Sequence, residues 1–224
     1  MTIFWDWNGT LVADVPLVVR VNNEVFARHG YRQTTKEEYR RLFRFPVIDY
    51  YRDLGVKDED FPAIAREWNE GYVAGFHEVP LAPGAVEALR RFRQAGFRQV
   101  IVSASQHDQL RRQVDSFPAL RGMFDEVLGL HDVYAVSKVQ LAKDFLARDG
   151  ADASDAVFLG DTNHDAEVAR AIGCRCYLIA GGHQNNEVLA HSGATVLKSL
   201  TELYPLLGLS SAEEEDGQIS CGMN

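Results

Sequence analysis

Residues 3–12 read IFWDWNGTLV. Ile3, Phe4 and Trp5 form a short run of strand-favouring side chains, apolar on both faces. The run stops at Asp6; Asn8, Gly9 and Thr10 follow, and then Leu11 and Val12 are apolar again. A strand with no polar face predicts a parallel sheet covered on both sides. A carboxylate at the end of such a strand, with a Gly-Thr turn behind it, marks a candidate site.

From Leu81 onward the chain repeats this theme. Pro83-Gly84 opens a helix that Gly96 closes, and Gln99–Ser103 is the next β-rich run. A polar helix begins near Gln106, Glu126–Leu130 reads as a short strand, and Ser137–Arg148 is an amphipathic helix stopped by Gly150. Ala156–Gly160 is a continuous apolar strand, and a helix over His164–Ile172 ends at Gly173. Cys174–Ala180 and Ala194–Leu197 are the last strand candidates. Strands alternating with helices predict an α/β fold with a Rossmann-like parallel sheet. Residues 13–80 break the rhythm and read as helices only: Val15–His29, a helix capped by the Thr35-to-Glu38 box, Val47–Leu54 and Asp58–Phe76. The expected organisation is a core of residues 1–12 and 81–208, an inserted helical domain of 13–80, and an acidic tail of 209–224. Connectors near 12–16 and 79–83 would join insert to core.

Composition narrows the function classes. Of 224 residues, 46% are apolar, enough for a packed core, and the net charge of −9 argues against non-specific nucleic-acid or membrane binding. Glu213, Glu214, Glu215 and Asp216 in the tail supply four of those charges, and that end reads as solvated. No apolar run reaches the length of a membrane span. The N-terminus has no basic region before its apolar stretch and does not read as a signal peptide. The three cysteines lack zinc-type spacing; Cys174 and Cys176 read as buried reduced thiols. A cytoplasmic monomer or homodimer is the expectation.

Sites of open α/β sheets lie at the carboxyl ends of the strands. There stand Asp6, Ser103 and Asp161, with Asp165 four residues on and Lys138 at the start of the preceding helix. Hard carboxylate oxygens suit Mg²⁺. A lysine and a hydroxyl suit phosphoryl oxygens, whose charge shifts during transfer. In this order the motifs resemble the haloacid dehalogenase superfamily, in the branch with an α-helical cap after the first strand. Asp6-Trp7-Asn8-Gly9-Thr10 resembles its first motif, Ile101-Val102-Ser103 its second and Lys138 its third. Gly160-Asp161-Thr162-Asn163-His164-Asp165 resembles its fourth.

The resemblance implies a phosphohydrolase in which Asp6 is the nucleophile and forms an aspartyl-phosphate. Asp6, Thr10, Ser103, Ala104 and Lys138 would surround the phosphoryl group. Asp6, the Asn8 backbone carbonyl, Asp161 and Asp165 would hold Mg²⁺, and the cap would exclude water. Its departure is Asn8, where the family's second aspartate serves as general acid. An amide transfers no proton; it orients a group by hydrogen bonds.

Three readings stay open. The first is a phosphatase in which another group, such as His164, or a readily departing leaving group replaces the acid. His164 also reads as a surface histidine. The second is a phosphonoacetaldehyde hydrolase-like C–P hydrolase, which needs a cap lysine; only Lys36 and Lys57 are available, both in charged surroundings. The third is a regulatory relative that binds phosphate and Mg²⁺ with low turnover. For the substrate, the cap offers Arg41, Arg44, Tyr50 and Tyr51, and its resemblance to phosphoglycolate phosphatase-like members implies a small phosphorylated metabolite.

Overall fold

The computed structural model describes residues 1–131 and 137–210. Its centre is a six-stranded parallel sheet of β1 (Thr2–Trp5), β2 (Arg98–Gln106), β3 (Glu126–Leu130), β4 (Ala156–Gly160), β5 (Arg175–Ile179) and β6 (Thr195–Leu197). The strand order is β3-β2-β1-β4-β5-β6, every pairing parallel. The chain leaves β1 toward one edge and returns to its other side at β4. That reversal opens a crevice at the carboxyl ends of β1 and β4, where such sheets bind ligands.

Alternation along β1 explains its all-apolar sequence. Phe4 joins a cluster with Phe145 and Leu146 of α7 (Lys138–Asp149) and Val168 and Ile172 of α8 (Asn163–Ile172). Ile3 and Trp5 face the opposite cluster, with Leu89 and Phe92 of α5 (Ala85–Gln94) and Leu110 of α6 (His107–Asp115). Phe4 meets Phe145 edge-on at 5.7 Å, and Trp5 lies 6.0 Å from Phe92. Each face of the central strand is thus buried against a helix layer, as a parallel sheet requires. The α/β architecture expected from the sequence is the one observed.

Strand β2 continues past Ser103, where the sequence pattern ends it. Its pairing with β3 shifts register between Val102 and Gln106. The irregularity spans Ser103, Ala104 and Ser105, and turns this strand end beside Asp6.

Residues between β1 and α5 form α1 (Val15–Arg28), α2 (Lys36–Leu42), α3 (Val47–Asp53) and α4 (Phe61–Gly75). The Thr35–Glu38 capping box opens α2 as its sequence predicts. The entering and leaving strands of this segment touch. Val12 bridges Leu81, the Ala13 N–H donates to the Pro80 carbonyl at 2.9 Å, and the Ala82 N–H to the Leu11 carbonyl at 2.8 Å. Its far side also meets the sheet layer: the Asn185 N–H donates to the Arg40 carbonyl, and Gln184 Nε2 to the Phe43 carbonyl at 2.9 Å. Apolar burial runs from these helices into the cluster below the sheet, through contacts such as Phe76 on Phe117. Of the acidic tail, only Leu209 and Ser210 belong to the described residues, and Leu209 packs on the main cluster. Cys174 and Cys176 are free, part-buried thiols; Cys221 lies outside the described residues.

Candidate active site

The carboxyl end of β1 delivers Asp6 into a buried cluster of charges. Lys138 Nζ, at the start of α7, donates to Asp6 Oδ1 at 2.7 Å and to Asp165 Oδ1 at 2.6 Å. The Ser137 hydroxyl caps this helix by accepting from the Gln140 N–H at 3.2 Å, which fixes where Lys138 begins. Asp165 Oδ2 accepts from the Thr162 N–H and hydroxyl, at 3.0 and 2.7 Å, and from the Asp161 N–H at 3.2 Å. The Asp165 carboxylate is therefore a clamp, tying the start of α8 to Lys138. Asp161 completes the group. One ligand oxygen from each of Asp6, Asp161 and Asp165 lies within 4.8 Å of the others.

Close approach of backbone is built into this corner. Gly9 sits at φ +70°, and a Cβ there would collide with the Asp161 carboxylate and the His183 ring. A Cβ on Gly182 would strike the same carboxylate. Glycine at these two positions lets the turn after β1 and the loop after β5 converge on Asp161.

Charge is unevenly compensated. Burial pushes the Asp6 carboxyl up to about 6, against the pull of Lys138. Burial raises Asp161 further, to about 8. Burial acts on Asp165 too, but Lys138 and the Thr162 bonds outweigh it and hold that carboxyl below its usual range. For Lys138, the two carboxylates outweigh burial and raise the ammonium. Three buried carboxylates facing one lysine are short of positive charge, and their hard oxygens fit a divalent cation such as Mg²⁺.

Asn8 is held from three sides. Its Nδ2 donates to Asp14 Oδ2 at 2.8 Å and to the Tyr72 hydroxyl at 2.6 Å, and its Oδ1 accepts from the Ser105 hydroxyl at 3.0 Å. Both amide hydrogens are engaged, one by Asp14 and one by the Tyr72 hydroxyl. Asp14, just ahead of α1, accepts from the Gly9 N–H at 2.8 Å and from the Tyr72 hydroxyl at 2.8 Å, and pairs with His183 Nε2 at 3.2 Å. His183 Nδ1 lies 2.7 Å from the Tyr39 hydroxyl. Burial opposes charge on His183, but Asp14 outweighs it and pushes the imidazolium up to about 9. The same pairing outweighs burial at Asp14 and keeps that carboxyl low.

Above these groups lies a cavity of about 350 Å³. Asp6, Asn8, Ser103, Ala104, Lys138 and Asp161 line its floor, and residues of α1–α4 its wall. Ser103 Oγ accepts from the Ser105 N–H at 3.1 Å. The Thr10 hydroxyl donates to Asp161 Oδ1 at 3.2 Å, and Thr10 lies outside the cavity lining. Asp165 lies behind the floor, fully buried. Of the four candidates on the inserted segment, Tyr50 and Tyr51 line the cavity. Arg44 is exposed and pairs with Asp53, and Arg41 is exposed. His164 is outside the lining and stacks on Phe45 at 4.6 Å. Lys36 and Lys57 are exposed and away from the cavity, so no cap lysine lies where the C–P reading requires one.

Asp14, His183, Tyr39, Tyr72 and Ser105 went unread in the sequence. His183 had a signal: Gly181-Gly182-His183 follows strand β5 at the same carboxyl edge. Asp14 had none beyond its place before a helix.

The family model of haloacid dehalogenase-like hydrolases matches residues 3–179. The chain is 23% identical over 213 residues to phosphoglycolate phosphatase 1 of Pseudomonas aeruginosa, covering 91% of this chain and 78% of that one. It is 23% identical over 190 residues to the phosphoglycolate phosphatase of Synechococcus elongatus, covering 84% and 87%. A haloacid dehalogenase-like family hydrolase from Streptococcus pneumoniae superposes with a TM-score of 0.80 at 18% identity, covering 92% of this chain and 97% of that one. CbbY from Rhodobacter sphaeroides, solved with xylulose-1,5-bisphosphate, gives 0.69 at 25% identity, covering 90% and 95%. With the family model spanning strands β1 to β5, the four helices and the charged floor, the chain belongs to the haloacid dehalogenase-like hydrolase family.

Proposed function

We propose that the protein hydrolyses a small phosphate monoester through an aspartyl-phosphate on Asp6. The observation that carries this reading is the Lys138 bridge from Asp6, on the floor of the cavity, to Asp165 behind it. A regulatory phosphate binder gains nothing from a buried carboxylate aimed at an anion; a nucleophile needs that arrangement. The phosphoglycolate phosphatases similar to this chain support the same reaction class.

Lys138 fixes one Asp6 oxygen, and the other attacks phosphorus. The P–O bond to the substrate opens, and its electron pair leaves with the alcohol oxygen, which takes a proton from solvent. Water then attacks the phosphoryl group, the aspartyl P–O bond breaks, and Asp6 is regenerated with inorganic phosphate and a proton released. The Lys138 ammonium and the Ser103 hydroxyl steady the phosphoryl oxygens as charge moves among them. Asp6, Asp161 and the Asn8 carbonyl would hold Mg²⁺, with Asp165 behind them. The ion would neutralise phosphate charge so that one anion can approach another. Helices α1–α4 act as a cap over this floor, and residues 13–80 are its extent.

With asparagine at position 8, no side chain of the first motif protonates the leaving oxygen. Leaving groups that depart as stable anions are then favoured, and aryl and acyl phosphates should turn over faster than alkyl phosphates. Assays with acetyl phosphate and Mg²⁺, on wild type and Asp6→Asn, test the reading. It predicts turnover by wild type, none by the variant, and tight binding of beryllium fluoride to wild type. Equal turnover by both proteins would overturn it.

A further inference from the structure

The cavity wall says what the alcohol half of the substrate is. Seven aromatic side chains supplied by α1–α4 and their loops face it: Tyr39, Phe43, Phe45, Tyr50, Tyr51, Trp68 and Tyr72. Trp68 and Tyr72 stack on one another at 5.0 Å with 11° between their rings. Tyr39, Phe43 and Tyr50 meet one another at 5.2–5.7 Å. Beside them the helices contribute two neutral amides, Asn22 and Asn69. The buried Trp68 Nε1–H has no hydrogen-bond partner among the described residues.

No arginine lines this cavity, and Lys138 is its one lysine, among the described residues. Residues 132–136, Asp-Val-Tyr-Ala-Val, contain neither. Lys138 is already committed to two carboxylates. Of the arginines of α2 and its following loop, Arg40 donates to the Gly181 carbonyl, Arg44 pairs with Asp53, and Arg41 is exposed outside the lining. His183 is paired with Asp14, and Asp14 itself adds a carboxylate to the lining. A carboxylate or second phosphate on the substrate would enter this space unpaired, beside a like charge, and lose its hydration. A flat apolar group would instead pack against these rings and bury its surface.

We propose that the substrate is the phosphate monoester of a neutral alcohol bearing an aromatic ring, not of a hydroxy acid such as glycolate. The inference rests on the phosphohydrolase reading above and deepens it. It gives the aromatic wall the task of selection: the phosphate meets the charged floor, and the ring meets Trp68 and Tyr72.

The test is arranged so that the two readings fail separately. Non-hydrolysable phosphonates report binding without turnover: benzylphosphonate carries a ring and no second charge, phosphonoacetate a carboxylate and no ring. Calorimetry with Mg²⁺ should find benzylphosphonate tighter by about tenfold or more. In turnover, benzyl phosphate and 2-phosphoglycolate both leave as alkyl alkoxides, so leaving-group acidity does not mask the comparison. Benzyl phosphate should show the higher kcat/KM by a similar factor. Asn69→Arg places the missing cation at an exposed position of the wall, and should tighten phosphonoacetate by about fivefold. Phosphonoacetate binding as tightly as benzylphosphonate, neither binding, or no gain from Asn69→Arg would each overturn the substrate inference. Loss of acetyl phosphate turnover alone would overturn the reaction and leave the binding preference standing.

Discussion

The floor and the wall of the cavity are built on opposite principles. The floor is charged, buried and over-determined: Asp165 alone receives four hydrogen bonds, from Lys138, Asp161 and Thr162. Its residues come from strand ends and helix starts far apart in sequence, with Lys138 132 positions from Asp6. The wall is aromatic, its hydrogen bonds fewer, and it comes from one continuous insert. Chemistry that tolerates little displacement rests on the rigid sheet edge. On the proposed reading, selection, which needs shape and surface, rests on the inserted helices.

The sharpest way to break this division is at the floor. Asp6→Asn should lower turnover by on the order of 10⁴–10⁶ while the melting temperature holds or rises, since a buried charge is removed. Steady-state rates with calorimetric unfolding check both halves. Retained turnover would mean the floor is not the reaction centre. Lys138→Ala should cost both function and fold. It strands Asp6 and Asp165 without their cation, at about 3–5 kcal/mol by denaturant titration. A loss under about 1 kcal/mol would show that the carboxylates protonate without consequence.

Asn8 joins the two regions, because its amide spans Asp14, Tyr72 and Ser105. Asn8→Asp should raise turnover of alkyl phosphates by up to about 10²-fold and that of aryl phosphates far less. The new carboxyl would lie against Asp14, and two carboxylates in contact share a proton, which supplies the acid form. An unchanged alkyl-to-aryl ratio would show that the proton arrives by another route. Tyr72→Phe removes the phenol that ties α4 to Asp14 and Asn8. It should cost about 1.5–3 kcal/mol, as for a bond to a charged partner, with thermal unfolding as the readout. No loss would mean that wall and floor are energetically separate.

The smallest effect concerns pH. Asp161 is raised to about 8, above its unfolded carboxyl value of 3.8. The folded metal-free protein therefore holds this proton longer than the unfolded chain, and stability falls as pH rises from about 4 to 8. A divalent ion binds only after the proton leaves. The rise in melting temperature on adding Mg²⁺ should be a few degrees larger at pH 8.5 than at pH 6. An equal shift at both pH values would show that Asp161 is ionised without metal, or is no ligand.

Residue patterns alone determined the α/β class, the parallel sheet and the four helices of the insert. Ile3-Phe4-Trp5 and Ala156–Gly160 are apolar at every position, and only a strand buried on both faces needs that. Asp6, Lys138, Asp161 and Asp165 were legible for a related reason: each stands at the end of a strand or the start of a helix at one edge, and Ser103 stands where the apolar run of β2 ends, although the strand itself continues to Gln106. Tertiary structure alone decided the rest. Thr10 turns its hydroxyl to Asp161 because Gly9 and Gly182 let that carboxylate come close. Asn8 is held by Asp14, Tyr72 and Ser105, which reach it from an insert helix and a bent strand end. Tyr39, Phe43 and Trp68 have ordinary helical spacing, and spacing does not distinguish a side chain that fills a core from one that faces a cavity. That distinction depends on what packs opposite, and in this protein the opposite wall comes from residues about a hundred positions away; local pattern carries no record of it.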